Sequence, residues 1–229
     1  ITPANEISQH MGLRMPSVGG AFLQAEDELC SIFALSGAAL AGAKAMTATA
    51  SAGFNYMQEG LGYAVAAEIP IVVVDVMRCR GENYATQSDV MQLRWGASGD
   101  HEMIVLAPAS VQELFDFTIR AFNLAEKFRC PVFIASNKEI AMTRESVDVD
   151  VLEIPEIVDR TAPPAGKPFL PFQASEGQMV CDFLPIGGNV PVRQTSSTHG
   201  ENGYITTDQA EIARILLRLK AKLESAVDN

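Results

Sequence analysis

The chain has 229 residues, 48% hydrophobic and 20% charged, enough apolar material for one substantial core and unlike a disordered segment. With 17 Lys+Arg against 28 Asp+Glu and a formal net charge of -11, it lacks the cationic surplus that a nucleic-acid surface needs. Cys30, Cys79, Cys130 and Cys181 include no C-x-x-C pair, which speaks against a zinc or iron–sulfur site built by this chain. Reduced thiols of this kind fit a cytoplasmic protein.

In chain order, Ala21 to Ala25, Ala45 to Thr49, Ile69 to Val76, Met103 to Ala107 and Pro131 to Ala135 read as strands. Helices are expected over 28–42, 54–67 and 110–128. The last has Val111, Leu114, Phe115, Thr118, Ile119, Phe122 and Ala125 at helical spacing, and Ser110 with Glu113 forms a capping box. The apolar stretch Leu29 to Met46 is broken by Ser31, Ser36, Gly37, Gly42 and Lys44 and falls short of the roughly 20 apolar residues of a membrane span. We read no span and no signal peptide.

Strands alternating with helices imply right-handed crossovers: an α/β fold with a mainly parallel sheet and helices on both faces. After about residue 144 the pattern changes, and Pro155, Pro163, Pro164, Pro168, Pro171, Pro185 and Pro191 break the chain. The expected division is a domain over 1–144, an extended Pro-rich arm over 145–205 that crosses the surface of something else, and an amphipathic C-terminal helix within 206–229. Ile212, Ile215, Leu216, Leu219 and Leu223 carry that helix.

In an open parallel sheet, ligands sit at the carboxyl ends of the strands. Glu26, Asp27 and Glu28 follow such an end and open a helix. Taken alone, acids in a first helical turn merely complement the helix dipole.

A set of ordered segments points further. Ile1-Thr-Pro-Ala-Asn-Glu6, Gln24-Ala-Glu-Asp-Glu28, Met46-Thr-Ala-Thr-Ala-Ser-Ala-Gly-Phe54 and Met57-Gln-Glu59 resemble the alpha subunit of 2-oxoacid:ferredoxin oxidoreductases. The similarity continues through Ala67-Glu-Ile-Pro70, Val74-Asp-Val-Met-Arg78, Gly99-Asp-His101, Ile104 to Glu113 and Ala121 to Lys127. Thr198-His-Gly-Glu-Asn-Gly203 is similar to an element of the 2-oxoglutarate branch.

The resemblance implies a thiamine-diphosphate pyrimidine-binding domain in which an acid hydrogen-bonds N1′ of the aminopyrimidine. With the turn glycine at Gly53, Glu28 matches that acid and Glu26 is the second candidate. A proton shared between the acid and N1′ favours the imino tautomer, whose nitrogen takes the C2 proton. Thr49, Ala50, Ser51, Ala52 and Gly53 match the turn that faces the pyrimidine, and small residues there permit close backbone approach. Thr2 and Arg78 match positions that contact the substrate carboxylate, a group suited to a planar guanidinium fork. Relatives often carry Ser-Gly-Pro-Gly in the turn and, after the arginine, a run unlike Cys79 to Tyr84 here; the second departure bears on which oxoacid is used. His101 and His199 read as structural histidines.

No Gly-Asp-Gly followed by Asn at the spacing of a magnesium-diphosphate site occurs. The resemblance implies that Mg2+ and a [4Fe-4S] cluster belong to a beta subunit, with thiamine diphosphate held between the two chains. Expected partners are that subunit, ferredoxin, coenzyme A and a 2-oxoacid, with 2-oxoglutarate the first choice. The alternatives are a non-catalytic scaffold homologue and a non-oxidative thiamine-dependent decarboxylase subunit.

Overall fold

The computed structural model describes residues 2–78, 87–99, 103–148, 150, 152, 154–166 and 168–227. Among them four strands form one all-parallel sheet: β1 (Met46–Thr49), β2 (Val72–Met77), β3 (Ile104–Leu106) and β4 (Val132–Asn137), in the order β1-β2-β4-β3. The helices are α1 (Asn5–Arg14), α2 (Glu28–Leu40), α3 (Ser51–Tyr56), α4 (Gln58–Ala66), α5 (Asp89–Trp95), α6 (Val111–Phe128), α7 (Lys138–Met142) and α8 (Gln209–Glu224). A short 3-10 turn, Met15–Val18, follows α1.

The central strand is buried along its whole length because helices cover both faces. Ile71, Val73 and Met77 pack with Ile32, Leu35, Phe54, Met57 and Leu61 of α2 to α4 on one side. Val72, Val74 and Val76 pack with Ala121, Leu124, Ala125 and Phe128 of α6 on the other, together with Ala4. Gly60 lets α4 sit directly on α2, since a Cβ there would overlap Ile32.

The expected strand at 21–25 does not form. Among the described residues the run pairs with no strand; Phe22 lies against Gly12 of α1 and Leu23 is exposed, so the segment is a lead-in to α2. The single helix expected over 54–67 is two, α3 and α4, meeting at Met57, whose N–H reaches both Gly53 and Phe54 carbonyls. The helix over Val111–Phe128 begins as its sequence requires: Ser110 Oγ accepts from the Glu113 N–H at 3.1 Å, and Glu113 Oε2 accepts from the Ala109 N–H at 2.6 Å.

Between 145 and 205 the described residues make no α-helix and no strand beyond one bridge, His199 to Ile205. The segment packs on this chain's own helices. Arg160 pairs with Glu126 of α6 and donates to the Ala39 and Ala43 carbonyls at the end of α2. Phe172 and Phe183 of the segment are buried. Helix α8 is docked by Arg218 and Lys222, both paired with Glu68 in the turn before β2. Among the described residues no helix is long and apolar enough to cross a membrane.

Candidate functional site

The carboxyl ends of β1 and β2 and the first turns of α2 and α3 converge. The three acids that open α2 divide their roles. Asp27 caps the helix, its Oδ1 accepting from the Cys30 N–H at 2.7 Å. Glu26 is exposed. Glu28 is partly buried and points at the turn after β1: a Cβ built on Gly53 would lie 2.5 Å from Glu28 Oε1 and 2.6 Å from its Cδ, and would overlap Thr49 Oγ1. Glu28, Thr49 and Gly53, chosen from the sequence as parts of one site, are brought together.

Within the turn, Ala50, Ser51 and Gly53 are buried and Ala52 is exposed. Ser51 binds the turn to the end of β2, its Oγ accepting from the Arg78 N–H at 2.9 Å and donating to the Arg78 carbonyl oxygen at 2.5 Å. Arg78 is therefore fixed by its backbone beside the turn, partly buried. Thr2 is exposed at the start of α1, where its Oγ1 accepts from Asn5 Nδ2 at 2.9 Å. Ala4, two residues on, sits in the core on the α6 side of β2, and among the described residues no hydrogen bond joins Thr2 to the turn.

His199 is structural. Its ring lies 3.8 Å from that of Phe172, with Nδ1 3.0 Å from the Gly200 carbonyl oxygen and Nε2 3.4 Å from that of Ala66. His101 and the segment Cys79 to Tyr84 lie outside the described residues. The sequence reading missed Asp75 and Asp89. Asp75 is wholly buried near the end of β2, neither carboxylate oxygen meets a donor, and the group it faces is the Asp89 carboxyl. Burial first, then the Asp89 charge and a hydrogen bond to it, push the Asp75 carboxyl up to about 8. Its signal was legible: an acid in the middle of the apolar run Ile71 to Met77, in a strand buried on both faces.

Residues 1–218 match the family described as pyruvate flavodoxin/ferredoxin oxidoreductase, thiamine-diphosphate-binding. The chain belongs to this family. It is 45% identical over 209 residues to 2-oxoglutarate synthase subunit KorA of Methanothermobacter marburgensis, covering 89% of this chain and 55% of that one. It is 41% identical over 235 residues to the subunit of the same name from Methanocaldococcus jannaschii, covering 100% and 62%. The structure of 2-oxoglutarate:ferredoxin oxidoreductase from Magnetococcus marinus, with 2-oxoglutarate, coenzyme A and succinyl-CoA bound, superposes with a TM-score of 0.91 at 30% identity, covering 100% of this chain and 41% of that one. The chain thus spans about half the length of the curated relatives it matches.

The residues present fit the cofactor that the family binds. An aminopyrimidine needs a carboxyl at one ring edge and a backbone that leaves its face uncovered. Glu28 would hold the ring edge, and Gly53, where no Cβ fits, with Ala50 and Ala52 would leave the face open.

Proposed function

We propose that this chain forms the pyrimidine side of a thiamine-diphosphate site in a 2-oxoacid:ferredoxin oxidoreductase, active with a partner beta subunit. The observation that carries the reading is the meeting of the Glu28 carboxylate with Thr49 at Gly53. When bound, thiamine diphosphate supplies the nucleophilic carbon that adds to a 2-oxo group and the electron sink for loss of carbon dioxide. Glu28 holds the proton shared with N1′ and so sets the tautomer of the ring. Gly53 and its small neighbours let the ring come close to the turn. Arg78 and Thr2 take the substrate carboxylate, the guanidinium by its planar fork and the threonine by its hydroxyl.

The substrate favoured is 2-oxoglutarate, since two relatives above 40% identity carry that name and the superposable enzyme holds that acid. Products would be the acyl-coenzyme A and carbon dioxide, with electrons leaving to ferredoxin. Mg2+, the diphosphate and a [4Fe-4S] cluster are assigned to the beta subunit, and the complex to the cytoplasm.

The test is Glu28→Gln in the assembled complex, read by hydrogen–deuterium exchange at C2 of the bound cofactor and by turnover. The substitution keeps size and an accepting oxygen but removes the shared proton, so turnover should fall at least ~10²-fold. The fold should survive, because a first-turn acid contributes only about 0.3–1 kcal/mol through the helix dipole. Glu26→Gln should be mild. If C2 exchange is unslowed in both variants, this chain does not activate thiamine and the scaffold reading replaces this one.

A further inference from the structure

Behind the turn that carries Gly53 lies a buried polar layer that the proposed chemistry does not use. Thr49 and Asp75 are 0% exposed, Asp89 is 4% and Ser51 is 7%. Thr49 and Asp75 are opposite one another in the β1–β2 ladder, so they stand on the same face of the sheet. Asp89 opens the second layer at the start of α5, bonded to the Ser51 hydroxyl.

The hydrogens in this layer can be counted. Ser51 has one hydroxyl hydrogen, yet two acceptors stand within hydrogen-bond distance of its oxygen, the Arg78 carbonyl and the Asp89 carboxyl. Asp75, with no donor on either oxygen, adds an acid facing an acid. With both carboxyls ionised there are more acceptors than donors in a dry space, a costly arrangement. One added proton turns the acid-to-acid contact into a hydrogen bond and leaves only the Ser51 hydrogen to be divided between two acceptors.

We propose that Asp75 and Asp89 share a proton, and that this protonated pair is the positioning element that holds the Ala50–Gly53 turn against Arg78. Asp75 donates to Asp89, Asp89 and the Arg78 carbonyl share the single Ser51 hydrogen, and the Ser51 oxygen accepts from the Arg78 N–H. Thr49, which is beside Asp75 in the ladder, precedes the turn, and Ser51, which is bonded to Asp89, lies within it. Loss of the proton sets two carboxylates against each other and pushes α5 and the turn apart.

Charges from the surrounding elements do not supply another remedy. Thr49 of β1, Ala135 of β4 and Ser51 of α3 are uncharged. Helix α5 carries Asp89 and also Arg94, whose guanidinium lies over Trp95. Helix α7, which packs on β2, carries Lys138 and Glu139, and neither figures among the charges acting on Asp75. The raised affinity of Asp75 for its proton agrees with this arrangement.

The sign of the pH effect follows. An acid that binds its proton more tightly in the closed turn than in the opened one stabilises the closed form at low pH. That advantage is lost as pH rises from about 4 to about 8, and the loss then levels off. The proposal rests on the thiamine reading only for its effect on turnover.

The test is amide hydrogen exchange over residues 50–54, corrected for the intrinsic rate, with the protein in its assembled complex from about pH 5 to about pH 9. The parent should show a rise of up to about tenfold per pH unit that flattens near 8. Asp75→Asn keeps the shape, donates an N–H to Asp89 and cannot ionise, so its corrected rate should be flat. Turnover of the parent should show an alkaline limb that Asp75→Asn removes, whereas a merely structural residue would lower turnover equally at every pH. Asp89→Asn removes the opposing charge and gives ionised Asp75 a donor but leaves it buried, so it should make the exchange profile shallower than the parent's, which covers a failure of the first variant to fold. A flat parent profile, variants that track the parent, or failure of both variants to fold would overturn the proposal. If no thiamine chemistry is found, turnover is silent and the exchange profile still decides.

Discussion

Replacing Glu68 by Gln should be among the most destabilising conservative changes in this chain. Glu68 is 1% exposed, in a left-handed conformation (φ 52°) in the turn between α4 and β2, and its carboxylate is the point at which α8 is held. Lys222 Nζ donates to Oε2 at 2.6 Å and Arg218 grips both oxygens, while Lys222 also donates to the Arg129 carbonyl and Arg218 to that of Met179. Burial alone would raise the Glu68 carboxyl, but Lys222, then Arg218 and Arg129, outweigh it and hold the group well below the usual carboxylate range. Gln keeps the shape and leaves Lys222, itself 1% exposed, as an uncompensated buried cation. Removing one partner of such a pair costs about 3–5 kcal/mol, a large share of the roughly 5–15 kcal/mol that holds a domain together. Removing both charges is often close to neutral, so Glu68→Gln with Lys222→Met should recover most of the loss. Denaturant midpoints at neutral pH measure both, and the melting point of the single variant should drop by roughly 10 °C. Because the folded carboxyl binds its proton more weakly than the unfolded one, its contribution is present above about 4.5 and is lost as pH falls below it; Glu68→Gln should flatten that acid limb. A cost under ~1 kcal/mol, or a double variant no better than the single, would refute the account of the cluster.

Two further expectations concern the site. Gly53→Ala should cost about 1–3 kcal/mol by overpacking against Thr49 and Glu28, seen by thermal denaturation, and should weaken cofactor retention, seen by assay of bound thiamine diphosphate in the purified complex. Arg78→Ala should raise KM for the 2-oxoacid at unchanged cofactor content, by the roughly 1.5–3 kcal/mol of a charge-assisted bond; the turn should stay in place, because Ser51 holds Arg78 by its backbone alone.

Much of the fold was legible because its signals are local. Continuous apolar runs marked β2 and β4, and Ser110 with Glu113 marked the start of α6. The mistaken strand at 21–25 shows the limit of local pattern: apolar residues form a strand only where a neighbour offers a ladder, and here α1 takes up Phe22 instead. Glu28 was reachable through its separation from Gly53, a relation along the chain that the fold turns into contact. Asp75 was not reached, because its partner Asp89 lies on a different element and the sequence does not say which side chains α5 turns inward.

Asp75 and Glu68 are both acids buried beyond the reach of water, one at each end of the same strand region, and the chain neutralises them by opposite means. Glu68 is met by cations from α8, so its contribution fails as acid protonates it. Asp75 is met by another carboxyl, so its contribution fails as base removes the proton. Taken together, these two groups favour the folded state most strongly near pH 4 to 5, and stability should decline from there towards 8 through Asp75. The cation-paired acid secures the C-terminal helix, far from the chemistry, where a fixed charge pair costs nothing in adaptability. The proton-paired acid lies under the candidate site, where losing a proton loosens the turn that a fixed charge pair would hold at every pH above the carboxylate range.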